Sequence, residues 1–399
     1  MLSFLPGFAL PFILSIKLGA GQAALLLVAY AIITAVNGIA GGAIEMSSIT
    51  AFGEQWRLNL RTAYAQQSRL IIRALNFSLA VVVIVVPLLA WYFLKRIDGG
   101  NLFVQIVLIL LPFALLYSIS SLLSGQVVAR GKVSVSILTQ AFRGAVPLLV
   151  CLIQSAPSIL VIALSFSIGE ALRIVSLLLT LHRSSRSSNT VNVAAVSMKG
   201  IYWQAFSTSV WQATPMINRG FIGGEGAPEI VSYELSDRVI SALNQFINTG
   251  ILLPMMGKWA NLDRSSSHYF TAIKLDLRKI VSVSTFLAGL VALSLYLLSP
   301  FVSSREGWED GAIWACILCF GLPAMAVTAA ATRIMVLHRK QRILPILSVA
   351  SILFSLILNF VLFPTFAGLG IVIAMTASRT MVGCVYWICA TRIIKRSGA

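Results

Sequence analysis

Charged residues inside apolar segments are the part of this sequence that could do chemistry. Arg238 lies deep in one such segment and closes the run Ser-Tyr-Glu-Leu-Ser-Asp-Arg that begins at Ser232. A guanidinium near the middle of a bilayer costs about 3 kcal/mol or more unless it faces a water-filled cavity or a partner. Arginine also binds phosphate and carboxylate through paired hydrogen bonds. Arg238 is therefore the first candidate to bind an anionic substrate within the membrane.

Other arginines share this depth. Arg143, Arg379 and Arg173 also lie well inside apolar segments, and we predict that they bind substrate together with Arg238. Arg333 and Arg219 lie toward the ends of their segments, where a long side chain is expected to extend to the membrane interface.

Ion pairing within the protein is the alternative role for these arginines. Glu234 precedes Arg238 by four residues and Glu170 precedes Arg173 by three, so each pair can form along one helix face. For the other two candidate arginines, the alternative is an ion pair between helices.

Three acids lie well inside the apolar segments: Asp237, Glu234 and Glu170. A carboxyl in such a place responds to two opposed effects, because burial favours its neutral form and a nearby arginine favours its charged form. We predict that one of the three couples transport to a proton or sodium gradient. That ion is the only cofactor expected.

The composition indicates a polytopic α-helical membrane protein. Apolar residues make up 58% of the 399 residues and charged residues only 11%, against about 25% charged residues in soluble domains. Apolar stretches long enough to cross a hydrocarbon core of about 30 Å recur along the whole chain. The predicted spans are Leu2–Lys17, Ala23–Glu45, Leu70–Leu94, Phe103–Ala129, Val133–Gln154, Ser158–Leu181, Ile201–Ile222, Pro228–Met256, Ile280–Val302, Gly311–Val336, Ile343–Phe363 and Gly368–Thr391.

The loop charges indicate an orientation with both termini in the cytoplasm. With the N-terminus inside, the inner loops carry most of the 30 lysines and arginines, whereas the outer loops carry Lys17, Lys95, Arg96 and Arg305. Cytoplasmic loops have this excess in membrane proteins. The net charge of +17 then indicates contact with anionic lipids of the inner leaflet rather than nucleic-acid binding, because the basic residues are spread over many loops. We expect a multi-pass protein of the cell inner membrane.

The chain is predicted to form two related six-helix bundles. Residues 1–182 and 200–399 form the halves, and the Ser/Asn-rich residues 183–199 form a cytoplasmic linker. Short matches recur at a nearly constant offset, such as Ala171-Leu172-Arg173 and Ala377-Ser378-Arg379 in the last span of each half. Transporters often use paired repeats and bind substrate between them.

The sequence shows no catalytic or metal-binding pattern. Cys316 and Cys319 have redox-like spacing, but they lie in an apolar span without histidine, so we expect no metal site. The predicted outer loops are short and no histidine lies in mid-span, which disfavours an enzyme. A membrane-embedded polysaccharide polymerase or acyltransferase remains one alternative.

Two motifs carry a family resemblance. The run Ser232-Tyr233 to Asp237-Arg238, followed by Leu253-Pro254, resembles the eighth span of the MurJ/MviN-like lipid II flippases. Leu18-Gly-Ala-Gly21 resembles the end of that family's first span. The MurJ/MviN-like lipid II flippases and the Wzx-type polysaccharide flippases both belong to the multidrug/oligosaccharidyl-lipid/polysaccharide (MOP) exporter superfamily. The resemblance implies a MATE-like fold and a transporter, not an enzyme.

The departures from the family pattern indicate the substrate. Lipid II flippases carry arginines in the first span, but the stretch Pro6–Ile16 has none. Val36 and Asn37 stand where that family has basic residues. The resemblance then implies a flippase for another undecaprenyl-pyrophosphate-linked oligosaccharide, such as an O-antigen or exopolysaccharide repeat unit, working with membrane lipids and a polysaccharide polymerase. A lipid II flippase and a MATE-type multidrug or cation antiporter remain alternatives.

Overall fold

The computed structural model describes residues 5–57, 61–62, 64–95, 99–183, 190–191, 213–252, 255, 259, 267–302, 307–338, 340 and 343–397. In chain order, its helices are α1 (Leu5–Arg57), α2 (Tyr64–Leu94), α3 (Gly100–Ala129), α4 (Val133–Thr139), α5 (Ala141–Ile153), α6 (Ile159–Arg183), α7 (213–222), α8 (Ala227–Phe246), α9 (Ser267–Val302), α10 (Trp308–Cys319), α11 (Leu322–Leu337) and α12 (Ile343–Ser397). Two-residue strands, β1 (Arg61–Thr62) and β2 (Thr190–Val191), pair in parallel.

The chain forms two compact units, Met1–Met216 and Ile217–Ala399. In the first, α1 packs on α2, α3 and α5, and α3 also packs on α6. The long helix α1 breaks at Gly19, whose φ of 73° is not helical. The break lies between the first two predicted spans, so α1 supplies both of them.

In the second unit, three interruptions shape the helices. α12 breaks at Ala367 (φ 48°, ψ −134°), between the last two predicted spans. α10 and α11 meet at a break, with an angle of 51° between them. α8 continues as a π-helical segment, Ile247–Leu252.

The spans follow the hydrophobic pattern. Seven of the described helices are long and apolar enough to cross a membrane, or eight if the bent pair counts as one span. Two of the seven are double-length, with 41 residues in Leu5–Glu45 and 52 in Ile343–Ile394, and each is broken as described. α7 and α8 add two further helices, described over 213–222 and Ala227–Phe246. The predicted fold, an all-α polytopic membrane protein of two six-helix bundles, is confirmed.

Helices extend farther than the predicted loop boundaries. The predicted spans leave residues 46–69 and 257–279 as loops, but α1 continues to Arg57, α2 begins at Tyr64 and α9 begins at Ser267. Apolar runs mark only the part of a helix that lies in lipid, so the polar ends were missed. Residues 201–212 of the seventh span, and all of the linker 183–199 except Arg183 and β2, lie outside the described residues. The domain limits remain predictions.

Candidate functional site

One charged cluster lies inside the first unit, and we call it the Glu170 cluster. Arg143 on α5 donates from Nε to Glu170 Oε2 at 2.5 Å and from Nη2 to Glu170 Oε1 at 2.8 Å. Arg173 lies one turn after Glu170 on α6, with its Nη1 3.4 Å from Oε1. Ser120 of α3 donates to Glu170 and accepts from Arg173 Nη1 at 3.1 Å. The Glu170 and Arg173 side chains are 0% and 1% exposed, and that of Arg143 is 16% exposed.

A glycine lets α5 and α6 approach closely at this point. A Cβ at Gly169 would lie 2.5 Å from the Phe142 carbonyl oxygen and 3.4 Å from the Arg143 Cα. Such contacts are not tolerated without a backbone shift, so only glycine fits. Because Gly169 and Phe142 directly precede Glu170 and Arg143, the close approach brings the two charged side chains together.

An aromatic ring supports Arg143 from the other side. Its guanidinium carbon lies 3.8 Å from the centre of the Tyr117 ring, a cation–π contact. The same ring lies against the backbone of α1, since a Cβ at Gly41 would lie 2.5 Å from Tyr117 Cδ1. Tyr117 also meets Phe113 edge to face. The carboxylate and the ring together fix the direction of the guanidinium.

A second charged cluster lies inside the second unit, and we call it the Asp237 cluster. Arg219 on α7 donates from Nε to Glu234 Oε1 and, at 3.2 Å, from Nη2 to Oε2. Asp237, one turn farther along α8, lies 3.9 Å from Arg219 Nη2 and 3.7 Å from Arg379 Nη2 on α12. The Arg219 and Glu234 side chains are 8% and 1% exposed, whereas those of Asp237 and Arg379 are 16% and 18% exposed. Asp237 therefore links the two arginines.

A buried polar group lies close to this cluster. Asn359 donates to Asn218 Oδ1 at 2.8 Å, and Asn218 and Tyr233 both donate to the sulfur of Met375, at 3.5 and 3.8 Å. The two asparagines are 0% exposed. These contacts join α7, α8 and both parts of α12, which gives the Asp237 cluster a rigid base.

The structure brings most of the predicted site residues together. Arg143, Arg173 and Glu170 share one cluster, and Arg379, Asp237 and Glu234 share the other. The ion pairs that the sequence offered as alternatives form for three of the arginines: Arg143, Arg173 and Arg379. Arg238 lies half-buried on α8, next to Asp237. Whether any of these arginines binds substrate remains a prediction.

Two arginines lie differently from expectation. Arg219 does not extend to the interface but is buried against Glu234, the acid that the sequence paired with Arg238. Arg333 does not extend outward either, because its Nη1 is buried and its Nη2 donates to the Asn248 carbonyl in the π-helical segment at 3.4 Å. Only the short turn at residues 223–226 separates α7 from α8, and this closeness was the sequence signal that could have paired Arg219 with Glu234.

Metal chemistry finds no support in the part of the chain that the structure describes. No group of three or more His, Cys, Asp or Glu side chains there could hold a metal ion. The cysteines, Cys316 and Cys319 included, are unpaired by disulfides. Within each of the two clusters, the carboxylates instead pair with arginines of the same cluster.

No protein-family model and no curated protein sequence matches this chain. Solved structures do match. A multidrug resistance MATE family transporter of the MOP superfamily, inward-facing, has a TM-score of 0.75 at 12% identity, covering 100% of this chain and 96% of its own. The lipid II flippase MurJ, in an inward closed conformation, also has a TM-score of 0.75 at 12% identity, and the match covers 100% of this chain and 88% of MurJ.

A MOP superfamily transporter from Pyrococcus furiosus has a TM-score of 0.68 at 12% identity, covering 99% of this chain and 92% of its own. The resemblance inferred from the motifs is confirmed at the level of the fold. The chain has the fold of the MOP superfamily, which includes both the MATE transporters and the lipid II flippase MurJ.

Proposed function

We propose that this protein flips an undecaprenyl-pyrophosphate-linked oligosaccharide, an O-antigen or exopolysaccharide repeat unit, across the cytoplasmic membrane by alternating access. Its termini lie in the cytoplasm, as the loop charges indicate. Its partners are the lipid-linked anionic oligosaccharide, the surrounding lipids and the polymerase machinery that uses the flipped unit. The fold supports transport, and the Glu170 cluster supports an anionic substrate.

The observation that carries the proposal is the geometry of Arg143. Nε and Nη2 bind Glu170, and one face of the guanidinium lies on Tyr117. The bonds to Glu170 and Ser120 use Nε and Nη2 and leave Nη1 out, and the side chain keeps 16% of its surface exposed. A guanidinium fixed in this way presents a directed donor to a phosphate oxygen without losing side-chain entropy on binding.

The charge balance of the Glu170 cluster also favours an anion. Two guanidinium groups surround one carboxylate, so the cluster carries a net positive charge inside the span. The Asp237 cluster pairs two arginines with two carboxylates and is balanced. A site for cationic drugs would require more carboxylates than guanidinium groups. The first unit therefore supplies the attraction for a pyrophosphate.

The test is deletion of the gene followed by mass spectrometry of the lipid-linked oligosaccharides. A complete repeat unit accumulating on undecaprenyl pyrophosphate is the expected result, and its mass identifies the sugar. Accumulation of lipid II would assign the protein to cell-wall synthesis instead. If no lipid-linked intermediate accumulates, the flippase proposal fails and the drug-antiporter alternative gains support.

A further inference from the structure

Glu45, at the end of the second predicted span, is a carboxylate outside both charged clusters. It is half-buried on α1, and its Oε1 accepts a hydrogen bond of 2.6 Å from the Ser124 hydroxyl of α3. Ser124 in turn lies 2.5 Å from the Ser136 hydroxyl on α4. These contacts make a chain of hydroxyl groups that connects α1, α3 and α4 and ends on the Glu45 carboxylate.

Glu45 differs from the other acids of the spans in its electrostatic surroundings. Glu170, Glu234 and Asp237 each have a guanidinium nitrogen within 4.0 Å. Glu45 has no ion pair among the described residues. Its carboxylate can therefore gain a proton without breaking a salt bridge, whereas each of the other three takes part in at least one.

The charged and titratable groups around Glu45 come from four elements. Arg143 of α5 and Tyr117 of α3 interact with it electrostatically. On α6, Glu170 and Arg173 form an ion pair with each other. The described charged residues of α2, Arg69 and Arg73, are exposed. The guanidinium of Arg143 is thus the cation whose field reaches Glu45, and it is also the proposed phosphate donor.

We propose that Glu45 is the residue that takes up and releases the coupling proton of this transporter. The proton adds to the carboxylate and gives a neutral carboxyl group, and no other bond changes. The hydrogen bond from Ser124 then loses its ionic acceptor and about half its strength, which loosens the contact between α1 and α3. The change also removes a negative charge from the surroundings of Arg143. This inference rests on the proposed transport function.

Infrared difference spectroscopy tests proton binding directly, without any transport assay. The full-length protein in liposomes is compared between about pH 5 and about pH 8, a range that starts near the unperturbed glutamate value and extends above it. We expect the carbonyl band of a protonated carboxyl group to appear at the lower pH in the wild type and in Glu225→Gln, an exposed control. The band should be lost in Glu45→Gln, which keeps the size and hydrogen-bonding capacity of the side chain. A band that survives in Glu45→Gln, or that appears in none of the proteins, overturns the proposal.

Transport in liposomes tests the coupling. The lipid-linked intermediate extracted from the deletion strain serves as the probe, and its translocation is measured with and without an imposed pH gradient. We expect the gradient to accelerate the wild type and to have no effect on Glu45→Gln. If Glu45→Gln responds like the wild type, or if a sodium gradient replaces the pH gradient, Glu45 is not the coupling residue. If the wild type moves no lipid, the flippase proposal fails, and the infrared result alone decides whether Glu45 binds a proton.

Discussion

Arg219 and Glu234 form an ion pair across the turn that joins α7 and α8, with side chains only 8% and 1% exposed. Both carboxylate oxygens of Glu234 accept hydrogen bonds from Arg219. Asp237 lies between Arg219 and Arg379 and contacts both. The pair fixes the orientation of two adjacent helices, so its main contribution is to the packing of the second unit.

Breaking this pair is expected to destabilise the protein strongly. Arg219→Ala leaves Glu234 buried without its cation, and loss of one partner of a buried pair costs about 3–5 kcal/mol. Thermal unfolding in detergent measures the effect. Lys274→Ala, on an exposed position of α9, serves as the control and should change stability little. The double variant Arg219→Leu with Glu234→Leu should recover part of the loss. Equal stability of Arg219→Ala and the wild type would show that the pair is unimportant.

Arg143→Lys is expected to impair transport while leaving the protein folded. A lysine keeps the positive charge but cannot hold Glu170 through two parallel hydrogen bonds and still direct a donor to a ligand. Loss of one charge-assisted hydrogen bond costs about 1.5–3 kcal/mol, which corresponds to on the order of a tenfold to hundredfold loss of transport rate. The lipid-linked intermediate should then accumulate in cells. Arg73→Lys, exposed on α2, is the matched control, and full activity of Arg143→Lys would contradict the role given to the guanidinium.

Gly41→Ala is expected to displace the ring that supports Arg143. The added Cβ would lie 2.5 Å from Tyr117 Cδ1 and 2.8 Å from Ser121 Oγ. Overpacking of this kind costs about 1–3 kcal/mol. Gly42→Ala makes the same change at the neighbouring position and serves as the control, because nothing lies within 4 Å of its Cβ position. Stability and lipid accumulation are measured for both.

The Gly41 variant also allows a compensating change. Tyr117→Ala removes the obstruction, so the double variant with Gly41→Ala should be more stable than the sum of the single effects predicts. Strict additivity of the two changes would mean that the ring and α1 are not in contact.

Gly169→Ala is expected to separate α5 from α6. Its Cβ would lie 2.5 Å from a backbone oxygen of Phe142, and a backbone atom cannot rotate away as a side chain can. We expect a loss of about 1–3 kcal/mol in unfolding free energy, together with the transport defect of a displaced Arg143. Gly289→Ala on α9, with no atom within 4 Å of its Cβ position, should be neutral or stabilising. Normal transport by the Gly169 variant would show that the close contact between α5 and α6 is not needed for the function of Arg143.

The sequence predicted the spans well because an apolar run marks the length of helix that lies within the hydrocarbon layer, whether it faces lipid or neighbouring helices. The breaks at Gly19 and Ala367 lie in the short gaps between predicted spans. α8 was found from its motif, although its charged residues make it less apolar than the other spans. Hydropathy carries no information about polar helix ends, so the starts of α2 and α9 were placed too late.

The partners of the charged residues were harder to predict. A helical pattern shows which residues share one face, and it correctly placed Arg173 beside Glu170. The same reasoning paired Glu234 with Arg238, whereas the structure gives Glu234 a partner on α7. Contacts between helices depend on which helices are neighbours and on their rotation. For the same reason the sequence could not predict the contact between Glu45, at the edge of its span, and Ser124 of α3.

The break in α12 rests on an alanine, not a glycine. Ala367 has a φ of 48° and a ψ of −134°, a conformation that costs an L-residue about 1–3 kcal/mol. Alanine is also the residue that favours a helix most. Pro364, three residues earlier in the same helix, lacks the backbone N–H that a continuous helix would use, so the local sequence itself favours an interruption there. The surrounding fold offsets the strain at Ala367. A synthetic peptide of residues 343–397 in micelles should accordingly form two helical segments with an interruption between Pro364 and Gly368.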